Sequence, residues 1–454
     1  MTDFSRILDE VPAWEKFYTV DEINLHVRDI AAKNPGKVEL IDLGSSAGGD
    51  PILCLKVGKG KHNALIHGFP NSEEPFGGNL LVFLARALAE HDEETRALDY
   101  TWYLIPCSDP DGARLNEGFQ KGENTPLNFT LNYYRSPLSS TPECCFPIRW
   151  GPLDLDSPTP ETKALMKIMD RMELTFVSSL HMMKWGGVTW EVPHACPELY
   201  AGLYDSAKRF GVFPRKRPGT TIAPGVMKAE FLTPARGYAR LWAGGNDNIE
   251  PIQGCYIFEY GQVLNPDLFM MIPECCLWYD PRMWDDRPVD SSLGDSLRYA
   301  QERNAEAGSF LLDAWNKVLS LLTTPTPFKA MMEENMAPLI QKYSNVSDPP
   351  FNFDERVHGR RATLAEKIGI EGREDLYVMF RCGGFLRALD EEIRRGGGGA
   401  LRDVREEVYA KLIEYDAHLH ATYDVTAHPI RNLVGMSVGS LLHAAEYAKT
   451  RQFR

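Results

Sequence analysis

A chain of 454 residues that is 43% hydrophobic and 25% charged has ordinary globular composition and enough length to bury a substantial core. Its formal net charge of -14 argues against a nucleic-acid backbone or an anionic membrane as partner, because both call for basic surface. No run of about 18 apolar residues occurs, so no membrane span is expected.

In chain order, VELIDLG (38–44), ILCLKVG (52–58), NALIHGF (63–69) and YTWYLIPC (100–107) are short apolar runs bounded by Gly or Pro, which predicts four strands. Between the last two, GGNLLVFLARALAEHDEETRAL (77–98) has apolar residues at helical spacing with charges on the other face. SPTPETKALMKIMDRM (157–172) predicts another helix with a Pro-rich, acidic start, followed by an apolar strand that ends in His181. This alternation predicts an α/β sheet. After about residue 290 the pattern becomes helical, in segments 296–322, 376–395, 400–423 and 438–452. RRGGGGALRD (394–403) is a short flexible break within that region. The division expected is an α/β domain over 1–288 and a helical region over 289–454, whose long helices would form a homo-oligomer interface or a lid.

The N-terminus, MTDFSRILDEVPAWEKF, lacks an apolar stretch of signal-peptide length. Nine cysteines, with adjacent pairs at 144–145 and 275–276 and no CxxC, read as free thiols in a reducing compartment. A cytoplasmic protein is expected, in which the sequons at Asn128 and Asn345 are silent.

Ligands of open α/β sheets gather beyond the carboxyl ends of the strands. Polar residues collect at three such ends, Pro70–Glu74, Ser108–Arg114 and His181, while Glu274 follows the apolar LFMMIP. A carboxylate loop, a distant His and a later Glu suggest metal-assisted hydrolysis: zinc on about three N/O ligands, with a separate Glu as general base. Glu73 reads as a surface carboxylate favoured by a helix N-terminus. His418 and His420 read as surface residues, since i and i+2 diverge on a helix.

The segments HGFPNSEEPFGG (67–78), CSDPDGARLNEGF (107–119), NYYRSP (132–137), SSLHMMKWGG (178–187) and IPECCLWYDPRM (272–283) occur in this order. In this they resemble the M14 (carboxypeptidase A-like) zinc carboxypeptidases, most closely a bacterial branch whose first motif reads His-Pro-Asn-Glu-Pro. The resemblance covers roughly residues 40–285. It implies a carboxypeptidase-like mixed sheet flanked by helices, a zinc cofactor, and hydrolysis of an amide next to a free carboxylate in a small peptide or N-acyl amino acid. It places Glu74 on the ligand Glu, His181 on the second ligand His and Glu274 on the general base. The remaining ligand position, usually His, is Asn71, a poor zinc donor beside imidazole.

Three readings follow for this loop. His67, seven residues before Glu74, supplies the missing ligand, unless strand alternation turns it to the other face as a hydrogen-bonded His. Alternatively Asn71, Glu74 and His181 hold a metal weakly, with His194 a more distant substitute. In the third reading the site binds no metal and the protein binds an amino-acid-like substrate or forms amides from it. Arg114 and Arg135 are the candidates for the scissile carbonyl and the substrate carboxylate, since the guanidinium fork matches a carboxylate. DPDG before Arg114 reads as a turn. Asn132 and Arg135 are the nearest match to the family's Asn-Arg element, with Tyr133 where the Arg would fall. In the expected specificity loop, Asn246, Asp247 and Asn248 replace the usual sequence, Asp247 is taken as substrate-binding, and Tyr238 and Trp242 are the nearby aromatics.

Overall fold

The computed structural model describes residues 2–150, 153–215, 221–229, 253–336 and 359–450. The predicted strands form as β1 (Val38–Ser45), β2 (Pro51–Val57), β3 (His62–His67) and β4 (Tyr100–Ile105), and a small hairpin, β5 (Ile148–Trp150) and β6 (Leu153–Leu155), follows. With β7 (Phe176–Ser179) and β12 (Phe269–Met270), the first four make a mixed six-stranded sheet in the order β1-β2-β4-β3-β7-β12. β1, β2 and β4 run antiparallel, whereas β3 is parallel to both β4 and β7. All six residues of β4 are buried, as a strand covered on both faces requires.

A second sheet joins β9 (Thr189–Val192), β10 (Thr221–Ala223), β11 (Val226–Lys228), β13 (Ile272–Tyr279) and the later β16 (Thr426–Ala427), and β8 (Met182–Trp185) pairs in parallel with β13. Glu274, expected beyond the end of a strand, lies within β13 opposite Thr189. β14 (Pro288–Ser292) and β15 (Arg361–Thr363) pair antiparallel and fasten the starts of helices Leu293–Val318 and Leu364–Arg394. Each of those helices opens with a capping box, Ser292 with Asp295 and Thr363 with Glu366.

The helix Phe76–Glu90 departs from the two-faced pattern expected of it, since all but Arg86 and Glu90 are buried. Its charges cluster at one end, and its remaining face is covered by the C-terminal helix Ile430–Lys449. That last helix returns to the first half of the chain, where Tyr100 Oη donates to the Ala445 carbonyl (2.9 Å) and Trp190 Nε1 to Ser440 Oγ (2.9 Å). The helical region therefore shares one hydrophobic core with the strands. The nine cysteines are unpaired and buried. No helix among the described residues is long and apolar enough to cross a membrane.

Candidate functional site

The loop after β3 sets the site. Phe69 takes a left-handed backbone (φ 54°), uncommon for a bulky side chain and often a mark of local strain at a functional loop. Beyond it Asn71, Ser72, Glu73 and Glu74 are all buried before the helix begins at Phe76. Glu73, expected at the surface, is only 1% exposed. His181 follows β7, the parallel neighbour of β3, and the two strand ends bring it to the loop.

Asn71 Nδ2 donates to Glu74 Oε1 (3.1 Å), and His181 Nδ1 lies 3.0 Å from Glu74 Oε2. The two nitrogens, 3.2 Å apart, converge on one carboxylate. The other ring nitrogen of His181 meets Glu143 (3.0 Å to Oε1), which lies in the short turn Pro142–Cys144. Lys184 Nζ is 3.8 Å from both Glu73 Oε1 and Glu74 Oε1 and donates to the Met182 carbonyl (2.7 Å). Arg135 NH1 donates to Glu73 Oε1 at 3.0 Å, and Glu73 Oε2 is buried with no hydrogen-bond partner among the described residues. The cluster reaches solvent through Arg135, whose side chain is 40% exposed, and narrowly through His181 at 12%.

Burial disfavours the His181 imidazolium, but Glu143 and Glu74 overturn this and raise its pKa well above the ordinary value. Burial likewise opposes ionisation of Glu74 and Glu143, yet His181 holds both carboxyls below their usual range, with Lys184 adding to the effect at Glu74. Half-buried Glu274 behaves differently. Burial, opposed by His181 and reinforced by Glu74, pushes its carboxyl above the ordinary value.

The remaining candidates lie apart from this cluster. Fully buried His67 has its Nδ1 3.1 Å from Ser108 Oγ and its Nε2 2.7 Å from Ser179 Oγ. The Ser108 hydroxyl donates to the backbone of Gly68, so Nδ1 carries the proton and Nε2 accepts from Ser179. Both ring nitrogens are therefore used inside the sheet, and His67 makes no contact with Glu74. The DPDG segment is the start of a short helix, Pro110–Arg114, capped by Asp109, rather than a free turn. Arg114 is held by both oxygens of Asp50 (2.6 and 2.7 Å) and by Asp21 (2.7 Å), away from the cluster. Asn132 bonds back to Asn128, and Tyr133 stacks on Phe380. His194 packs its ring against Phe269, and His418, exposed as expected, lies 3.2 Å from Tyr299 Oη. Tyr238, Trp242, Asn246, Asp247 and Asn248 lie outside the described residues.

Glu143 and Lys184 were not singled out from the sequence. A lone acid in the apolar TPECCFP and a lysine inside HMMKW were the available signals, because charges within apolar runs are rarely buried unless paired.

Catalytic zinc is usually held by three strong donors, as in His-His-Glu or His-His-His sets. The atoms converging here are one imidazole, one carboxylate and a neutral amide, and an ammonium group already stands beside the same carboxylate. Among the described residues no three His, Cys, Asp or Glu side chains gather as a ligand set. This donor set does not fit a zinc centre of that type.

A mixed sheet flanked by helices, with a polar cluster beyond its parallel strands, defines an α/β protein. The zinc carboxypeptidase (Peptidase M14) profile matches residues 23–261, 239 of the 454, and the chain belongs to that family. Zinc carboxypeptidase A 1 of Drosophila melanogaster is 23% identical over 272 residues, covering 54% of this chain and 61% of that protein. Its namesake from Anopheles gambiae is 28% identical over 104 residues, covering 22% of this chain and 24% of that protein. The chain thus spans less than two thirds of the curated relatives it matches. Among solved structures, bovine thrombin-activatable fibrinolysis inhibitor, bound to a tick carboxypeptidase inhibitor, aligns at 14% identity and a TM-score of 0.37, over 57% of this chain and 86% of that one.

Proposed function

We propose that this strand-end cluster binds an amino-acid-like or short peptidic amide bearing a free carboxylate, and does so without a resident metal. The observation that carries the reading is Lys184: its ammonium, 3.8 Å from Glu74 Oε1, together with the imidazole of His181, supplies the positive charge that a metal would bring to this carboxylate. Asn71 stands at the position where the family resemblance calls for a His. A buried carboxylate satisfied by protein cations has no electrostatic need of a further ion, and a divalent ion would have to displace or neutralise them.

A second reading is supported by Glu274. Its carboxyl faces His181 and is pushed upward by burial, the condition of a group poised for proton transfer. On that reading the site hydrolyses the amide next to the substrate's carboxylate, with Glu274 as general base; Glu74 and His181 would hold a zinc, short of the three strong donors such a centre usually takes.

Protein purified from zinc-supplemented medium separates the two. The first reading predicts far less than one zinc per chain by elemental analysis and unchanged binding of hippurate (N-benzoylglycine) in EDTA. One zinc per chain, with hippurate cleaved to benzoate and glycine and the activity lost in EDTA, would establish the second.

A further inference from the structure

A cavity elsewhere in the molecule shares no residue with the strand-end cluster. It measures about 160 Å³, and its walls come from three distant parts of the chain: residues 14–17, the short helix Glu117–Lys121 with the residues just after it, and residues 427–430. A cavity of about 150 Å³ is room enough for a benzene-sized molecule. Phe17 and Phe119 are buried there with their ring centroids 6.0 Å apart. Trp14, half-buried, is fixed by the bond from its Nε1 to Tyr18 Oη (2.9 Å). Aromatic rings therefore supply the apolar part of the lining.

The polar part of the lining is rich in acceptors. Gln120 is 1% exposed, and its Nε2 donates to the Ala113 carbonyl (3.3 Å), which fixes the orientation of the amide. Its Oε1 is buried with no hydrogen-bond partner among the described residues. Asn124 repeats the pattern. Its backbone carbonyl accepts from Trp278 Nε1 (3.2 Å), while its side-chain Oδ1 is buried with no hydrogen-bond partner among the described residues. His428, also buried, uses Nε2 to donate to the Gly186 carbonyl (3.3 Å), so Nδ1 carries no proton and can only accept. Burial lowers the pKa of this ring to about 4 and keeps it neutral at pH 7. A buried acceptor left without a donor is costly, and two such oxygens on one cavity mark a place for a ligand rich in N–H groups. One ammonium is already seated at the rim. The exposed Lys16 side chain donates to the Gly122 carbonyl, and Glu15, also in the lining, balances its charge.

We infer that this cavity binds a small primary ammonium, whose three N–H groups are accepted by Gln120 Oε1, Asn124 Oδ1 and His428 Nδ1 and whose hydrocarbon part lies against Trp14, Phe17 and Phe119. Three donors on one nitrogen match three neutral acceptors, and aromatic faces attract a cation. The net charge of -14 also favours cations near the surface. Because the walls come from both ends of the chain, the occupant ties the N-terminal segment to the start of helix Ile430–Lys449. It binds folded protein alone and so raises the unfolding temperature.

Isothermal titration of the full chain at pH 7 with benzylamine, which is protonated there, tests this. Benzyl alcohol keeps the ring without the charge, and benzyltrimethylammonium keeps the charge without an N–H. Benzylamine is expected to bind and to raise the Tm with concentration, and both comparison compounds to bind about tenfold more weakly or worse. Gln120→Leu removes one acceptor and should weaken benzylamine about tenfold, the loss typical of a hydrogen bond to a charged group. Asn124→Ala carries the same expectation and serves where Gln120→Leu fails to fold. Lys16→Met, which takes a like charge from the rim, should bind benzylamine more tightly than wild type. Glu73→Gln, at the strand-end cluster, should bind it as wild type does. Benzylamine that does not bind, or binds no better than its alcohol or quaternary counterpart, would overturn the inference. So would an affinity that survives both acceptor variants, weaker binding in Lys16→Met, or a loss in Glu73→Gln that moves the amine to the strand-end cluster.

Discussion

Two buried carboxylates organise the two halves of this protein, and they are completed very differently. In the helical region, Asp375 is fully buried and saturated. Tyr299 Oη lies 3.0 and 2.9 Å from its two oxygens, Arg303 Nε donates to Oδ1 (2.8 Å) and Tyr423 Oη to Oδ2 (2.9 Å). These partners come from helix 293–318 and from the residue after helix 399–422, so one side chain ties the bundle together. At the strand ends, by contrast, Glu73 Oε2 has no hydrogen-bond partner among the described residues, and burial pushes the Glu274 carboxyl above its ordinary value. A closed network of this kind serves stability. An open one, whose valences are left over after folding, is where a ligand can be recognised.

The largest effect that would break this contrast comes from the closed hub. Asp375→Ala leaves Arg303, only 13% exposed, with Glu306 alone and strips the buried Tyr423 hydroxyl of its acceptor, and removal of one partner from a buried ion pair costs about 3–5 kcal/mol. Urea unfolding should show a loss of that order, whereas Glu73→Gln, in the open network, should cost much less. Equal losses would mean that the strand-end cluster is also chiefly structural.

Acid sharpens the same contrast. Burial lowers the pKa of both His428 and His67 to about 4, from an ordinary value near 6.5. The unfolded chain then takes up protons below about pH 6.5 that the native state refuses. Their contribution is therefore fully present above that pH and is lost as pH falls toward 4, up to about 3 kcal/mol for each. In His428→Gln, which keeps a donor for the Gly186 carbonyl, stability should fall less steeply between pH 6.5 and 4 than in wild type. An identical slope would show that His428 titrates normally.

The open network can also be converted. Asn71→His combined with Lys184→Met adds an imidazole and removes the competing ammonium. Elemental analysis of that double variant should find close to one zinc per chain, with the single Asn71→His variant between it and wild type. A double variant that takes up no more zinc than wild type would show that these side chains do not converge on a metal position.

The smallest effect belongs to Arg114. Its pairs with Asp50 and Asp21 are partly solvent-exposed, so Arg114→Ala should cost only about 0.5–1 kcal/mol in thermal or urea unfolding. A larger loss would mark this bridge as part of the core.

The sequence carried the architecture well where the local pattern and the tertiary environment agree. The runs at 52–57 and 100–105 are apolar and bounded by Gly or Pro, and they form strands. The helix at 76–90 misled because the C-terminal helix that covers its second face comes some 350 residues later. At the site, motif order was enough to bring Asn71, Glu74 and His181 to mind together, and the fold does place them within hydrogen-bond distance. What could not be read was the counter-charge. Glu143 reaches His181 from a turn 38 residues away. Ion-pair partners follow from packing rather than from spacing along the chain. Arg114 and His67 show the converse: residue types suited to catalysis whose bonds were already taken by Asp50 and by Ser108 and Ser179.

The central claim is that cations of the protein itself occupy the place of a metal at Glu74. Crystals grown with excess zinc and measured on both sides of the zinc absorption edge test it most directly. No anomalous peak is expected among Asn71, Glu74 and His181, with Lys184 Nζ remaining about 4 Å from Glu74, as in the 3.8 Å contact seen here. An anomalous peak bonded to Glu74 and His181, with Lys184 turned away, would contradict it.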